Sequence, residues 1–257
     1  MSDFNTVEYQ ARDAVAWIRM NRPESLNAFN EGLRQDLTAA LRRAADDTSI
    51  KVVVLAANGR AFSAGADLME GNSPDKTDVT QQLLESYKPI LDAIRSMPKP
   101  VIGVAPGVAA GIGASVLMSC DQVVMAEEAR IYLAFSDIGL VPDGGATWLL
   151  FQALGYHRAF TLITEGGSIS AKECLELGLA RTVAPRDQVE QVAADIAAKL
   201  CGRSAMATAE AKALLRKSAT ASYDEIFQAE AIIQKRCLQS SEYLEAIANF
   251  KSKSKSK

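Results

Sequence analysis

A single histidine, His157, stands against 31 aspartates and glutamates in a chain of 257 residues. That count excludes a His-rich zinc site, and Ser-His or Cys-His catalysis would have to run through His157 alone. Proton transfer therefore falls to a carboxylate. Three aspartates stand in or beside breaker-rich turns: Asp67, Asp137 and Asp143. Asp143, in Val-Pro-Asp-Gly-Gly directly before Trp148-Leu-Leu-Phe, has the composition of a helix N-cap, and the other two allow the same reading. His157 follows Gly155, which ends one helix and opens the next, a setting for a surface or capping role. The four cysteines, Cys120, Cys174, Cys201 and Cys237, are widely spaced and form no CxxC pair, so they read as reduced thiols of a cytoplasmic protein with no metal site.

Two glycine-containing loops could present backbone N–H groups to an anion. One is Phe62-Ser-Ala-Gly-Ala-Asp67 and the other is Ala110-Gly-Ile-Gly-Ala114. Neither is a nucleotide loop. A phosphate loop needs a lysine after the second glycine, and none occurs between Lys99 and Lys172; a dinucleotide fingerprint needs glycine at position 116, which is Val116. Tight packing of helix on strand is the alternative use of these glycines.

The elements that position these loops alternate. Ala14–Met20 is strand-like, a helix begins near Asn30 with Leu33, Leu37, Ala40, Leu41 and Ala44 on one face, and Arg34, Asp36, Arg42 and Arg43 lie off it. Lys51–Ala57, Val101–Ala105 and Gln122–Ala126 are short aliphatic runs, as expected of strands covered on both faces and paired in parallel. Thr80–Ser96 has a helical pattern, and residues 71–78 are polar and breaker-rich, a candidate mobile loop. From Gly166 onward the chain is mostly helical. Ser170-x-x-Glu173 and Ser222-x-x-Glu225 are capping boxes, and one short strand lies near Arg181–Val183. The expected division is an α/β core over 1–195, a helical region over 196–250 and a disordered Lys/Ser tail over 251–257.

The formal charge of −3 gives no electrostatic reason to expect nucleic acid or an anionic membrane as partner. The acidic, polar N-terminus does not read as a signal peptide. Pro100–Cys120 carries no charge, but Pro106 and glycines at 103, 107, 111 and 113 divide it into a buried strand, a turn and a short helix rather than a membrane span.

Several segments together resemble the crotonase superfamily, the enoyl-CoA hydratase/isomerase family. They are AsnArgProGluSerLeuAsnAlaPhe at 21–29, AlaPheSerAlaGlyAlaAspLeu at 61–68, LysProValIle at 99–102, GlyValAlaAlaGlyIleGlyAla at 107–114, IleGlyLeuValProAspGlyGly at 138–145, and IleSerAlaLysGlu with LeuGlyLeuAla at 169–180. The resemblance runs in order over about residues 7–250. It implies an α/β spiral of ββα repeats with a C-terminal helical region that mediates trimerisation, as a homotrimer or a hexamer built of two trimers. It implies a coenzyme A thioester as substrate and no separate cofactor. By motif position the thioester oxygen would meet the N–H groups of Ala66 and Ile112; the family usually has glycine where Ile112 stands, and its β-branched side chain would narrow the acyl pocket. Ala28, Ala64, Gly65, Asp67 and Leu68 match the segments that contact the rest of the substrate. Phe135, Ile112, Leu140 and Trp148 are the candidate apolar wall.

Departures from the family pattern decide the expected reaction. Hydratases of the family place two glutamates over the substrate, and this chain has Ser115 and Phe135 at those positions. Neither is a general base. Asp143 matches the position where several isomerases of the family carry their acid, and the stretch around it resembles the ring-1,2-epoxyphenylacetyl-CoA and Δ3,Δ2-enoyl-CoA isomerases. The resemblance thus implies movement of a double bond from position 3 to position 2 of an enoyl-CoA, with Asp143 as the proton shuttle. Opening of an aromatic ring epoxide, residual hydration through Asp137 or Asp143, and CoA binding without catalysis are the rival readings.

Overall fold

The computed structural model describes residues 4–70 and 78–255. The loop expected at 71–78 lies outside these apart from Asp78, as do the last two residues of the tail. A six-stranded sheet carries the order β1-β2-β3-β4-β6-β9, formed by Val7–Arg12, Val15–Met20, Val52–Ala57, Val101–Ala105, Gln122–Ala126 and Thr182–Ala184. Only β1 runs antiparallel to its neighbour; every other pairing in this sheet is parallel. A second sheet, β5-β7-β8, joins Ala109–Ala110, Arg130–Tyr132 and Ser168–Ser170. The chain lays β4 in the first sheet, β5 in the second and then a helix, and repeats with β6 and β7: this is the ββα spiral. β3 and β4 are buried at every position, which is why they read as continuous aliphatic runs.

The helices are α1 Glu31–Asp46, α2 Val79–Gln82, α3 Lys88–Ser96, α4 Ile112–Ser119, α5 Ala146–Glu165, α6 Ala171–Glu176, α7 Val189–Cys201, α8 Ala205–Ser218, α9 Tyr223–Leu238 and α10 Ser241–Lys255. Asn30 caps α1 by accepting the Leu33 N–H at 2.9 Å, and both expected capping boxes form. Gly155 breaks α5 with non-helical backbone, so His157 begins a new helical stretch on the exposed side. α2 and α3 are joined by a π-turn over Leu83–Tyr87.

Three expectations need correction. β1 had no sequence assignment, although Val7, Tyr9 and Ala11 alternate with polar residues as on a strand with one apolar face. The boundary expected at 195 cuts through α7, which packs on β3, β4 and β6 and buries Val189, Ala193, Ile196 and Ala197; the core therefore extends to Cys201. The Lys/Ser tail is helical as far as Lys255, since it contains no proline or glycine to stop α10. Beyond α7, α8 and α9 bury none of their own side chains in the single chain. Among the described residues no helix is long and apolar enough to cross a membrane.

Candidate active site

The two glycine loops leave the carboxyl ends of β3 and β4 and are stitched together. Ser63 is the fastener: its Oγ donates to the Asn27 carbonyl at 2.8 Å and receives the Gly65 N–H at 3.1 Å, while its carbonyl accepts the Ala110 N–H at 2.8 Å. Phe29 closes the other side, donating its N–H to the Gly65 carbonyl at 2.8 Å and accepting from Asp67 at 3.1 Å. Gly65 has φ of +98°, and a Cβ there would stand 3.1 Å from the Ala110 carbonyl oxygen and 3.8 Å from Gly111 Cα. Only glycine lets the loops approach so closely. Between these bonds two donors are left over. Among the described residues neither the Ala66 nor the Ile112 N–H has a main-chain acceptor; Ile112 is the first residue of α4, where the helix supplies none. Ala66 is exposed to the groove.

The Asp143 main chain lies against α4, the helix that carries the second donor. It is not the N-cap its composition suggests, because Gly145 occupies that place and no side chain caps α5. The Asp143 carbonyl accepts the Ser115 hydroxyl at 2.9 Å, and Gly144 rests against Ile112 and Ser115. The carboxyl oxygen Oδ1 is buried and receives no hydrogen bond. Burial pushes the Asp143 pKa up to about 6, and among the described residues no cation holds it down. An acid with that affinity takes and returns protons near neutrality. Tyr87, itself buried and raised in pKa first by burial, is close enough to feel the Asp143 charge. The sequence offered no sign of Tyr87, because the π-turn that rotates it inward follows from packing.

The remaining expected site residues divide. Phe135 is buried, with its ring 4.0 Å from where a Gly111 Cβ would be, so it joins Ile112 as apolar wall. Ala28 is buried, while Ala64 and Leu68 face solvent at the mouth. The Asp67 carboxylate pairs with Arg22 at 2.9 Å and accepts the Met69 N–H, so the side chain shapes the loop. Leu140 is not a wall: it is 59% exposed, because the chain turns outward at Gly139. Trp148 is also misplaced by the sequence reading. Its ring lies under the Arg95 guanidinium at 4.6 Å and lines a cavity of about 1260 Å³ between α5 and α8, alongside Asp121 and Arg216. That cavity is bordered by residues at the amino ends of β4 and β6, opposite the glycine loops.

Asp137 accepts the Tyr132 hydroxyl at 2.8 Å, and His157 is exposed beside Tyr156. Cys120 and Cys174 are buried thiols pushed up to about 12, which makes them inert. Arg34, expected off the apolar face of α1, is instead buried. Its guanidinium finds the Phe29 carbonyl at 3.1 Å, Glu70 at 2.7 Å and the face of Tyr87.

Two N–H donors without main-chain acceptors, and a desolvated acid whose loop packs on the helix of one of them, are the parts that enolate chemistry requires. A thioester carbonyl can lie on the donors while the acid works on its α-carbon. The fold and these parts define a class, and comparison with known proteins agrees. The family profile described as Enoyl-CoA hydratase/isomerase matches residues 10–257, and the chain belongs to that family, whose members include enzymes of both names. It is 34% identical to a probable enoyl-CoA hydratase of Rhodobacter capsulatus, over 96% of this chain and 95% of that protein. It is 31% identical to a 1,2-epoxyphenylacetyl-CoA isomerase of Escherichia coli, over 93% and 92% respectively. Among solved structures, a putative enoyl-CoA hydratase/isomerase of Mycobacterium abscessus superposes with a TM-score of 0.92 at 30% identity, covering 96% of both chains.

Proposed function

We propose that the protein is an isomerase of acyl-CoA thioesters that moves a double bond from position 3 to position 2. The observation that carries this reading is the solitary acid. Asp143 is unpaired and raised to about 6, whereas Ser115 is fastened to the loop behind it and Phe135 is hydrocarbon wall. Adding water asks for groups that hold and activate it; moving a double bond needs one base that can reach two carbons.

The Ala66 and Ile112 N–H groups receive the thioester oxygen. The Asp143 carboxylate takes a proton from C2, the electron pair moves onto the oxygen, and the carboxyl returns the proton at C4. The C3–C4 double bond becomes C2–C3, and no co-reactant is consumed. Ala28, Ala64, Gly65, Asp67 and Leu68 line the approach of the CoA portion. Absorbance of the conjugated 2-enoyl thioester follows the reaction, and an Asp143→Asn variant that isomerises at the parent rate would overturn the assignment.

The second reading is isomerisation of an aromatic ring epoxide carried on CoA. The relative of that description and the Phe135 wall favour it, and turnover of aromatic epoxide against linear 3-enoyl thioesters separates the two. Release of a 3-hydroxyacyl product would instead favour hydration. The exposed Phe227 and Ile232 of α9 and Leu244 and Phe250 of α10 support assembly as a homotrimer or a dimer of trimers, read by light scattering. The four free thiols suit the cytoplasm.

A further inference from the structure

Among the described residues no side chain bonds to the Asp143 Oδ1 to aim the carboxyl, so the contacts that place it are those of its main chain. Ser115, fully buried at the end of the first turn of α4, donates its hydroxyl to the Asp143 carbonyl at 2.9 Å. The same carbonyl accepts the Ala146 N–H at 3.0 Å, which ties the loop to the start of α5. Gly144 adopts φ of +59° and lies so close to α4 that a Cβ would stand 2.3 Å from Ile112 Cδ1 and 2.8 Å from Ser115 Cβ. One short helix therefore carries an unpaired donor at its tip and grips the acid's loop three residues later.

We propose that Ser115 is a positioning residue whose hydroxyl clamps the Asp143 loop onto α4 and so fixes the separation between the proton-carrying carboxyl and the Ile112 N–H. A misplacement of about 1 Å between reacting groups costs on the order of 10²-fold in rate, so one well-made bond to the main chain has a measurable catalytic effect. The clamp also keeps the loop closed over the carboxyl, which preserves its desolvation. The inference rests on the isomerase reading for its assay, and its second readout does not.

The test compares Ser115→Ala with Ser119→Ala. Ser119 is equally buried one turn further along α4 and donates to the Ser115 carbonyl at 2.8 Å, but no hydrogen bond joins it to the Asp143 loop. In Ser115→Ala, kcat falls about tenfold, the effect of one buried hydrogen bond, while KM stays within about twofold. The acidic limb of kcat/KM, with its midpoint near 6 in the parent, moves down as water reaches the carboxyl. Ser119→Ala leaves that limb in place. Equal kcat and an unmoved limb in Ser115→Ala overturn the clamp. If the parent does not turn over 3-enoyl-CoA, the isomerase reading fails separately, and the Asp143 carboxyl is titrated by carbon NMR instead. A midpoint unchanged between parent and Ser115→Ala then overturns the clamp. Should Ser115→Ala fail to fold, Ser115→Cys, similar in shape but a weak donor, carries the same expectations.

Discussion

Two aspartates sit near opposite ends of α4 and differ in every neighbour. Asp121, two residues past its carboxyl end, holds Lys212 at 2.8 Å, Arg216 at 2.9 Å and the Val101 N–H at 2.9 Å. Asp143, held against its first turn, has a buried oxygen with no partner. The first acid is satisfied and ties α8 to the amino ends of β4 and β6; the second keeps its affinity for a proton. Identical chemistry becomes a structural tie or a reactive group according to whether a cation reaches it.

The largest expected effect breaks the comparison at its reactive end. Asp143→Asn lowers the rate of double-bond movement by about 10³-fold, the usual size for loss of a general base. In the parent, kcat/KM rises with pH through a midpoint near 6, because only the ionised carboxyl accepts a proton, and Asn abolishes that limb. Next in size, Gly65→Ala presses a Cβ toward the Ala110 carbonyl and displaces the Ala66 N–H. The loss is about 10²-fold, as for removal of one oxyanion donor, measured in the same absorbance assay.

Stability inverts the pair. Asp121→Ala leaves Lys212 and Arg216 without their shared acid and costs about 3 kcal/mol in urea unfolding, with activity within about twofold of the parent. Asp143→Asn does the reverse. The folded state raises this carboxyl from 3.8 to about 6, so its contribution is fully present below pH 3.8 and lost as pH rises through 6. The uncharged Asn removes that loss: the variant gains about 2 kcal/mol at pH 8, after discounting for partial exposure, and almost nothing at about pH 3. Equal gains at both pH values would show that Asp143 is not desolvated. The smallest effect concerns the wall. Ile112→Ala keeps the N–H and widens the pocket, shifting preference toward bulkier acyl groups by about tenfold in relative kcat/KM.

Local patterns made most of the scaffold legible. The buried strands announced themselves by length and aliphatic composition, the capping boxes by serine and glutamate three apart, and the break at Gly155 by the glycine itself. Among candidate site residues, Ala66, Ile112 and Asp143 stood out through motif positions, and the absence of carboxylates at 115 and 135 could be read directly. Trp148 and Leu140 were misassigned because nearness to Asp143 in sequence does not survive the turns at Gly139 and at the start of α5. Arg34 and Tyr87 were hidden for a related reason. A charged residue on an amphipathic helix reads as solvated unless its buried partners, here the Phe29 carbonyl and Glu70, are known.

The sequence by itself determined which groups are available: one histidine, four widely spaced thiols, two glycine loops, an aspartate where a base belongs and no glutamate at either companion position. Those are properties of residue identity. Tertiary structure alone decided which acid is left without a partner, because pairing depends on what distant segments bring within about 3 Å. Lys212 and Arg216 arrive at Asp121 from α8, and among the described residues no cation pairs with Asp143, whose backbone is held by the uncharged α4.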